Sequence, residues 1–161
     1  MIKEIKINNF KSVQDLSLSL GRFNVLIGSN GSGKSNILEA ITFAGAASGD
    51  KLDNEFLGSR GIRTSTAQIM KSAFSKKNFS EPIKLSFKNG KNDISFTIEE
   101  EKKPILKWIV KKKQNNEKLA NFIIYSPEIT SLRKLEDENQ IKPLGIKGEG
   151  LFSVLQIFNE S

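Results

Sequence analysis

The fold is decided by the stretch Gly28-Ser29-Asn30-Gly31-Ser32-Gly33-Lys34-Ser35. Its spacing, GxxxxGKS, predicts a phosphate-binding loop, because consecutive backbone N–H groups can wrap a phosphate only where side chains are absent. Lys34 would reach the β- and γ-phosphates as a point charge, and the Ser35 hydroxyl would bind a magnesium ion. The helix after the loop would direct the positive end of its dipole at the same phosphates.

The residues on either side of this loop fit the same interpretation. The apolar run Phe23–Ile27 ends at the first glycine and predicts a buried strand. After Ser35, apolar residues recur at helical spacing at Ile37, Leu38, Ile41 and Ala44. Ser48-Gly49-Asp50 would end this helix near Ala47. The alternative is a glycine-rich surface turn that happens to precede Lys-Ser.

Composition limits the chemistry that the chain can perform. The 161 residues amount to one domain, and they include no cysteine and no histidine. Disulfides, thiolate chemistry, the usual structural zinc sites and a histidine base are therefore excluded. Any metal must be held by oxygen atoms, which fits magnesium on a nucleotide.

The N-terminal residues carry no targeting signal. Met1–Ile7 alternates apolar with charged side chains, and no run of eighteen apolar residues occurs anywhere in the chain. We expect a cytoplasmic protein without membrane contact.

The net charge of +7 is concentrated between residues 60 and 91. In that segment a single acidic residue, Glu81, accompanies the basic residues Arg60, Arg63, Lys71, Lys76, Lys77, Lys84, Lys88 and Lys91. Such a segment could neutralise nucleic-acid phosphates. The candidate contacts are Arg60, Arg63, Lys71, Lys76, Lys77 and Lys84. The alternative is a solvated, lysine-rich face.

Period-two alternation predicts several strands. Ile2–Ile7 and Leu16–Leu20 predict two antiparallel strands that lead into the strand before the loop. Asn89-Gly90 predicts a two-residue hairpin turn that pairs Leu85 with Ile94 and Ile83 with Phe96. A third strand would contain Leu106, Trp108 and Val110, with Trp108 in the core and not stacked on a ligand.

The remaining segments give weaker signals. We expect a helix around Ser65–Phe74 and a buried strand at Asn121–Tyr125. Ser126 followed by Pro127 predicts the start of a helix, with Ser126 as its N-cap. An amphipathic C-terminal helix is indicated by Leu151, Val154, Leu155 and Phe158.

Three of these stretches together resemble the N-terminal part of the SMC and RecF-like branch of ABC-type ATPases. That branch includes predicted AAA-family ATPases and the ATPase domains of OLD nucleases. The matching stretches are Ile5–Ser12, Asn24–Gly28, and the loop continued through Asn36 to Ile41. A weaker match covers Pro143–Gly145 and Gly148–Leu155. Asn30 followed by Gly-x-Gly-Lys-Ser-Asn distinguishes this branch from kinases and small GTPases.

The resemblance implies an α/β fold: a P-loop NTPase, in the form of the first lobe of an ABC-type head, with an antiparallel β meander. Residues 1–161 would form one N-terminal ATP-binding lobe. Within it, 1–47 would hold the first strands, the loop and its helix, and 48–82 a basic irregular or helical segment. Residues 83–113 would form the meander, and 121–161 a strand and helices.

The resemblance also implies ATP and Mg²⁺ as cofactors. The nucleotide would contact the loop residues Gly28, Ser29, Asn30, Gly31, Ser32, Gly33, Lys34 and Ser35. Asn36 would support the loop, and Lys11 and Ser12 would lie near the nucleotide. For Lys11 and Ser12, an ordinary hairpin turn is the alternative.

Two motifs that the family uses are missing from this sequence. Neither the Walker B strand, four apolar residues followed by Asp-Glu, nor the Ser-Gly-rich signature occurs in it. No catalytic residue is identified, and the parallel core sheet would be incomplete, with Val25, Leu26 and Ile27 on an unpaired apolar edge. We therefore expect the first lobe of a longer ATPase. A C-terminal lobe or a partner chain would supply Walker B, and two complete heads would dimerise on ATP.

Two functions remain open at this point. The first is the ATP-binding lobe of a DNA-linked ATPase in repair, chromosome maintenance or phage defence, inactive or very slow in isolation. The second is a nucleotide-binding regulatory module that does not hydrolyse ATP and acts through a partner protein. A small kinase or GTPase is a weaker third, because the sequence has no Asn-Lys-x-Asp guanine motif.

Overall fold

The computed structural model describes residues 1–74, 76–90, 93–101, 107–112, 117–134 and 144–159. Its strands are β1 Glu4–Phe10, β2 Val13–Ser19, β3 Ile83–Lys88, β4 Asp93–Glu101 and β5 Lys107–Lys112. Its helices are α1 Lys34–Ser48, α2 Asn54–Ser59, α3 Ala67–Met70, α4 Lys76–Ser80, α5 Glu117–Ala120 and α6 Leu151–Asn159. None of the described helices has the length and apolar content that crossing a membrane requires.

The five strands form one sheet in the order β2-β1-β3-β4-β5, and all four neighbouring pairs are antiparallel. Alternate residues point to the buried face, as period-two sequences dictate. The buried face includes Ile5, Ile7, Leu85, Phe87, Phe96 and Ile98. The predicted N-terminal strand pair and the antiparallel meander are confirmed.

Helix α1 packs against this sheet and forms the centre of the core. From Ala40 onward its side chains are apolar or small, and every residue from Glu39 to Ser48 is buried. The Phe43 ring contacts Phe10 and Trp108, each with ring centroids 5.5 Å apart. Trp108 packs against the core as predicted, and Gly45 allows α1 to approach α5.

The predicted register of the β3–β4 hairpin is wrong by two residues. Leu85 pairs with Phe96 and Ile83 pairs with Ile98, so the connection spans residues 89–92. The predicted two-residue turn would place Lys88 opposite Lys91, whereas the observed register pairs Lys88 with Asp93. Opposite charges are favoured directly across a ladder and like charges are not. A shift of two keeps the same side chains on the buried face, so the prediction of the face is correct.

Two predicted strands, one before the phosphate-binding loop and one at Asn121–Tyr125, are absent. Residues 23–27 and 121–125 are irregular, with no strand in either segment. An extended segment becomes a strand only when a neighbour pairs with its backbone, and no described strand lies beside residues 23–27. Phe23 and Ile27 are consequently 85% and 91% exposed. Of the expected apolar sheet edge, Val25 and Ile27 are exposed and Leu26 is half-buried, but these residues form no strand and so no sheet edge.

The predicted helix start at Ser126-Pro127 is also wrong. The backbone N–H of Ser126 donates to the carbonyl of Ile146 at 2.7 Å, and that of Glu128 donates to the carbonyl of Lys147 at 2.9 Å. This segment therefore pairs with residues 146–147, and the chain forms only a turn after it, in which the Glu128 carbonyl accepts hydrogen bonds from the Ser131 and Leu132 N–H groups at 3.0 and 2.9 Å.

The other helix predictions agree with the structure to different degrees. Helix α1 and the C-terminal helix α6 are confirmed, while the helix expected at Ser65–Phe74 is only the single turn α3. Helices α2, α4 and α5 were not predicted. A signal existed for α2, because the Asp53 carboxylate accepts a hydrogen bond from the Phe56 N–H at 2.8 Å as an N-cap. Leu106 of the predicted third strand lies outside the described residues.

Candidate nucleotide-binding site

The phosphate-binding loop joins residues 23–27 to the N-terminus of α1. Gly31 and Gly33 have φ angles of +81° and +91°, which residues with a Cβ rarely adopt. A Cβ on Gly33 would lie 2.9 Å from the Ser12 Oγ, and a Cβ on Gly28 would lie 2.8 Å from the Ser32 Oγ. Positive φ therefore favours glycine at positions 31 and 33, whereas the close neighbours of Gly28 and Gly33 are hydroxyl groups at the ends of short serine side chains.

The N-terminus of α1 is open toward the loop. Gly33 is its N-cap and supplies no side-chain hydrogen bond, and the first turn contains no acidic residue. The N–H groups of a first helical turn lack partners within the helix. Together with the helix dipole, they make this end of α1 suited to an anion.

Backbone carbonyl groups of the loop hold the ammonium group of Lys34. Its Nζ donates to the carbonyl oxygens of Gly28 and Ser29, each at 2.7 Å. These acceptors are neutral, and the ion pairs found among the described residues do not include Lys34. Within the described part of the chain its positive charge therefore has no carboxylate partner, and a bound phosphate could neutralise it.

The site fits a magnesium ion that is held mainly by a nucleotide. Ser35 follows Lys34 directly and is exposed, so its hydroxyl could coordinate a metal beside bound phosphates. No group of three or more carboxylate, histidine or cysteine side chains lies together in the described part of the chain. Magnesium commonly takes one or two protein ligands and completes its shell with phosphate oxygens and water.

The turn between β1 and β2 lies against the loop. Lys11 and Ser12 are the two residues between the paired Phe10 and Val13, and Lys11 has a φ angle of +48°. The Asn36 side chain donates to the Ser12 Oγ at 2.7 Å. The turn is thus an ordinary hairpin connection, and it is also a neighbour of the loop.

Glu39 also belongs to this group, and no sequence pattern pointed to it beyond its place on α1. The carboxylate accepts hydrogen bonds from Lys11 Nζ and, at 2.6 Å, from Arg63 Nε. Arg63 also donates from Nη2 to the Asn36 side-chain oxygen at 3.1 Å. A pairing between residues so distant in sequence cannot be inferred from spacing.

Two grooves border these residues. A groove of about 810 Å³ is lined by Lys11, Ser12, Asn36 and Arg63 on its polar side and by Ile69, Phe74 and Phe79 on its apolar side. A second groove of about 510 Å³ includes Ser35, Glu39, Arg63, Tyr125, Glu128 and Lys147. Both grooves therefore reach the first turns of α1, and Arg63 borders each of them.

The structure uses several of the candidate nucleic-acid contacts internally. Arg60 donates to the carbonyl of Ala120 at 2.7 Å and lies over the Phe56 ring. Lys71 is buried and donates to the carbonyl of Phe79 at 3.0 Å. Lys84 is exposed, and Arg63 belongs to the group around Glu39. The side chains of Lys76 and Lys77 lie outside the described residues.

Comparison with known proteins places this geometry in context. A family model described as AAA domain matches residues 4–159. Chromosome partition protein Smc of Methanocaldococcus jannaschii is 30% identical over 174 residues, which cover 99% of this chain and 13% of that protein.

Two further relatives match the region of the loop. DNA replication and repair protein RecF of Actinobacillus pleuropneumoniae is 47% identical over 45 residues, covering 27% of this chain and 12% of that protein. The OLD nuclease of Thermus scotoductus is 42% identical over 41 residues, covering 26% of this chain and 8% of that protein. This chain therefore spans a small part of each of these relatives.

Among solved structures, that of the recombination mediator protein RecF with ATP is similar, with a TM-score of 0.47 and 17% identity. It covers 85% of this chain, and this chain covers 35% of it.

Proposed function

Because this chain belongs to the AAA domain family and folds as the N-terminal lobe of a P-loop ATPase, we propose that it is the ATP-binding lobe of a DNA-linked ATPase. It would bind ATP together with magnesium. The observation that carries the proposal is the loop itself. Two glycines at positive φ, an open helix N-terminus and the Lys34 charge form a site for phosphates. Gly28–Ser35 would bind the triphosphate, with Ser35 on magnesium.

The proposed site is tested by titrating the chain with ATP and magnesium. Lys34→Ala should weaken binding by at least tenfold, because charge-assisted contacts to phosphate are worth about 1.5–3 kcal/mol. Lys3→Ala is the matched control. Lys3 is exposed and lies just before β1, at the far end of that strand from the β1–β2 turn that contacts the loop. The 7 residues of β1 separate Lys3 from that turn, a distance on the order of 25 Å. Equal affinities of the two variants would contradict the proposal.

Catalysis by the isolated chain is a separate question. The buried carboxylate near the loop, Glu39, is already paired with Lys11 and Arg63 and is not free to orient a water molecule. Hydrolysis needs such a group in addition to phosphate binding. We propose that a second lobe or chain supplies it, and that complete heads dimerise on ATP.

The exposed residues before the loop support a missing partner. Phe23, Val25 and Ile27 are 85%, 64% and 91% exposed, and no described strand pairs with the irregular backbone that carries them. A strand from the second lobe would cover these side chains and pair with that backbone. The alternative is a regulatory module that binds ATP without turnover and acts through a partner protein. Steady ATP turnover by the isolated chain would contradict both proposals.

Contact with DNA is proposed on the names of the relatives, one a chromosome partition protein and another a replication and repair protein. Of the described candidates, Lys84 is the most accessible lysine. Each phosphate contact adds about 0.9 to the slope of log affinity against log salt on duplex DNA. Lys84→Gln should therefore lower that slope by about one, with Lys3→Gln as control. Affinity that does not depend on salt would contradict DNA contact through this segment.

A further inference from the structure

Glu39 is a buried carboxylate that the phosphate-binding loop itself does not use. It lies on α1 four residues after Ser35, and it is 2% exposed. An unpaired charge in such a place costs several kcal/mol, so a buried carboxylate needs partners. The two Glu39 oxygens have different partners, and those partners come from different segments of the chain.

The contacts of Glu39 join three segments. Oε2 accepts from Lys11 Nζ in the β1–β2 turn, and Oε1 accepts from Arg63 Nε, which lies between α2 and α3. Lys11 Nζ also donates to the backbone carbonyl of Arg63 at 2.8 Å. The hairpin turn, the loop helix and the segment around Arg63 are therefore tied together at one carboxylate.

Arg63 is the member of this group that most needs to be held. Its side chain is 70% exposed, whereas those of Lys11 and Glu39 are 12% and 3% exposed. An exposed arginine samples many rotamers, and fixing one costs side-chain entropy. The guanidinium presents its donors in a rigid fork, so one bond to Glu39 and a second to Asn36 define its orientation.

The charges leave this group positive. Lys11 and Arg63 carry two positive charges and Glu39 carries one negative charge, so an excess positive charge remains beside Ser12 and Asn36. Arg63 borders both grooves that reach the start of α1. An arginine fixed there meets an anionic ligand without first paying the entropy of ordering.

We propose that Glu39 is a positioning residue, which fixes Lys11 and Arg63 at the edge of the phosphate-binding loop so that Arg63 is oriented toward a bound nucleotide. The proposal rests on the proposed function for its ligand. The orientation of Arg63 in the free chain does not depend on that function, and it is tested separately.

The first test uses the chain without nucleotide. Arginine labelled with ¹⁵N should give a sharp, slowly exchanging Nε–H signal for Arg63, identified by its loss in Arg63→Met. Glu39→Gln should broaden or abolish that signal, because the neutral amide no longer accepts a charge-assisted bond from Nε. Glu55→Gln, at an exposed carboxylate of α2, should leave it unchanged. An unchanged Arg63 signal in Glu39→Gln would overturn the proposal.

The second test is a double-mutant cycle in ATP affinity with magnesium present. Glu39→Gln should weaken binding about tenfold when Arg63 is present, which is the scale of one charge-assisted hydrogen bond. It should have little further effect in the Arg63→Met background, because the residue that it positions is gone. Losses that add in full would overturn the proposal.

Urea unfolding of each variant separates folding from positioning. If Glu39→Gln does not fold, Arg63→Lys serves instead, since it keeps the charge and loses the fork. Arg63→Lys should bind ATP about as weakly as Arg63→Met, and wild-type affinity in Arg63→Lys would overturn the proposal. Failure of the unmodified chain to bind ATP would contradict the proposed function, and the ¹⁵N signal would still decide the role of Glu39.

Discussion

Gly33 is the residue at which the backbone of the loop is most constrained. It has a φ of +91°, and a Cβ on it would lie 2.9 Å from the Ser12 Oγ, whereas Gly31 has a similar φ and open space around it. A comparison of alanine substitutions at the two glycines therefore distinguishes the cost of a positive φ from the cost of steric overlap. Both should be sensitive to alanine, Gly33 the more so.

Gly33→Ala should lower the free energy of unfolding by about 1–3 kcal/mol, the usual cost of a strained non-glycine residue, and should weaken ATP binding. Gly31→Ala should cost less, because it adds strain without overlap. Chemical denaturation and nucleotide titration of the two variants provide the measurement. Gly58→Ala, in α2 with no atom near the new Cβ, is the control and should raise stability by about 0.4–1 kcal/mol, as a strain-free helical alanine does. A Gly33→Ala chain as stable as Gly58→Ala would contradict the loop geometry.

Glu149 is the residue whose ionisation should matter for stability in acid. Burial acts to raise its pKa, but hydrogen bonds from its own N–H, from Ser131 and from the Lys147 N–H, with the charge of Lys134 nearby, hold the pKa below its ordinary value. A carboxylate whose pKa is lower in the folded state stabilises the fold above its unfolded pKa. That contribution is lost as the pH falls through the folded pKa.

Glu149→Gln should therefore reduce the loss of stability between neutral and acidic pH, while lowering stability at neutral pH. The measurement is urea unfolding across the acid range. Glu55→Gln, an exposed carboxylate, should keep the unmodified pH dependence. If the stability of Glu149→Gln depended on pH in the same way as that of the unmodified chain, this carboxylate would have no such role.

At the scale of elements, the contact between α1 and α5 depends on one glycine. A Cβ on Gly45 would overlap the carbonyl oxygen of Leu119, and that oxygen belongs to the backbone and cannot move aside cheaply. Gly45→Ala should destabilise the chain by about 1–3 kcal/mol, as overpacking in a dense core does. The higher helix propensity of alanine, worth about 1 kcal/mol, opposes this loss and does not outweigh it. If Gly45→Ala unfolded at a higher urea concentration than the unmodified chain, that result would contradict this packing.

The elements also show how far the sequence predicts the structure. Period-two and helical patterns predicted β1, β2, α1 and α6, because each pattern reports which face of one element is buried. The register of the β3–β4 hairpin was missed, since Asn89-Gly90 favours a two-residue turn and the pairing of Lys88 with Asp93 depends on the partner strand. Patterns within one element contain no information about that pairing.

Residues 23–27 and the group around Glu39 show the same limit. The apolar run before the loop has the composition of a strand, yet strand formation requires a neighbour. Glu39 pairs with Lys11 and Arg63, which lie 28 and 24 residues away, so its role depends on tertiary contacts. The loop motif was predictable because its function depends on consecutive residues.

At the scale of the whole molecule, the exposed apolar residues Phe23, Val25 and Ile27 should make the isolated chain associate. Phe23→Ser with Ile27→Ser should reduce association at high concentration, measured by sedimentation velocity. Stability should change by no more than about 0.5 kcal/mol, because both side chains are exposed. Ile109→Thr, on the edge strand β5, is the control and should leave association unchanged. If the unmodified chain, the double variant and Ile109→Thr associated equally, Phe23 and Ile27 would not drive association. That result would contradict the proposal that a second lobe covers them.

The central claim is our proposal that this chain binds a nucleotide through the loop at Gly28–Ser35. The most direct measurement is its thermal unfolding midpoint with increasing ATP and magnesium. A ligand that binds only the folded state stabilises it by about 2.7 kcal/mol at a hundred times its Kd. The midpoint should rise steadily with ATP for the unmodified chain and for Lys3→Ala, whereas Lys34→Ala should need at least ten times more ATP for the same rise. A midpoint that does not respond to ATP, or that rises equally in Lys34→Ala, would contradict the claim.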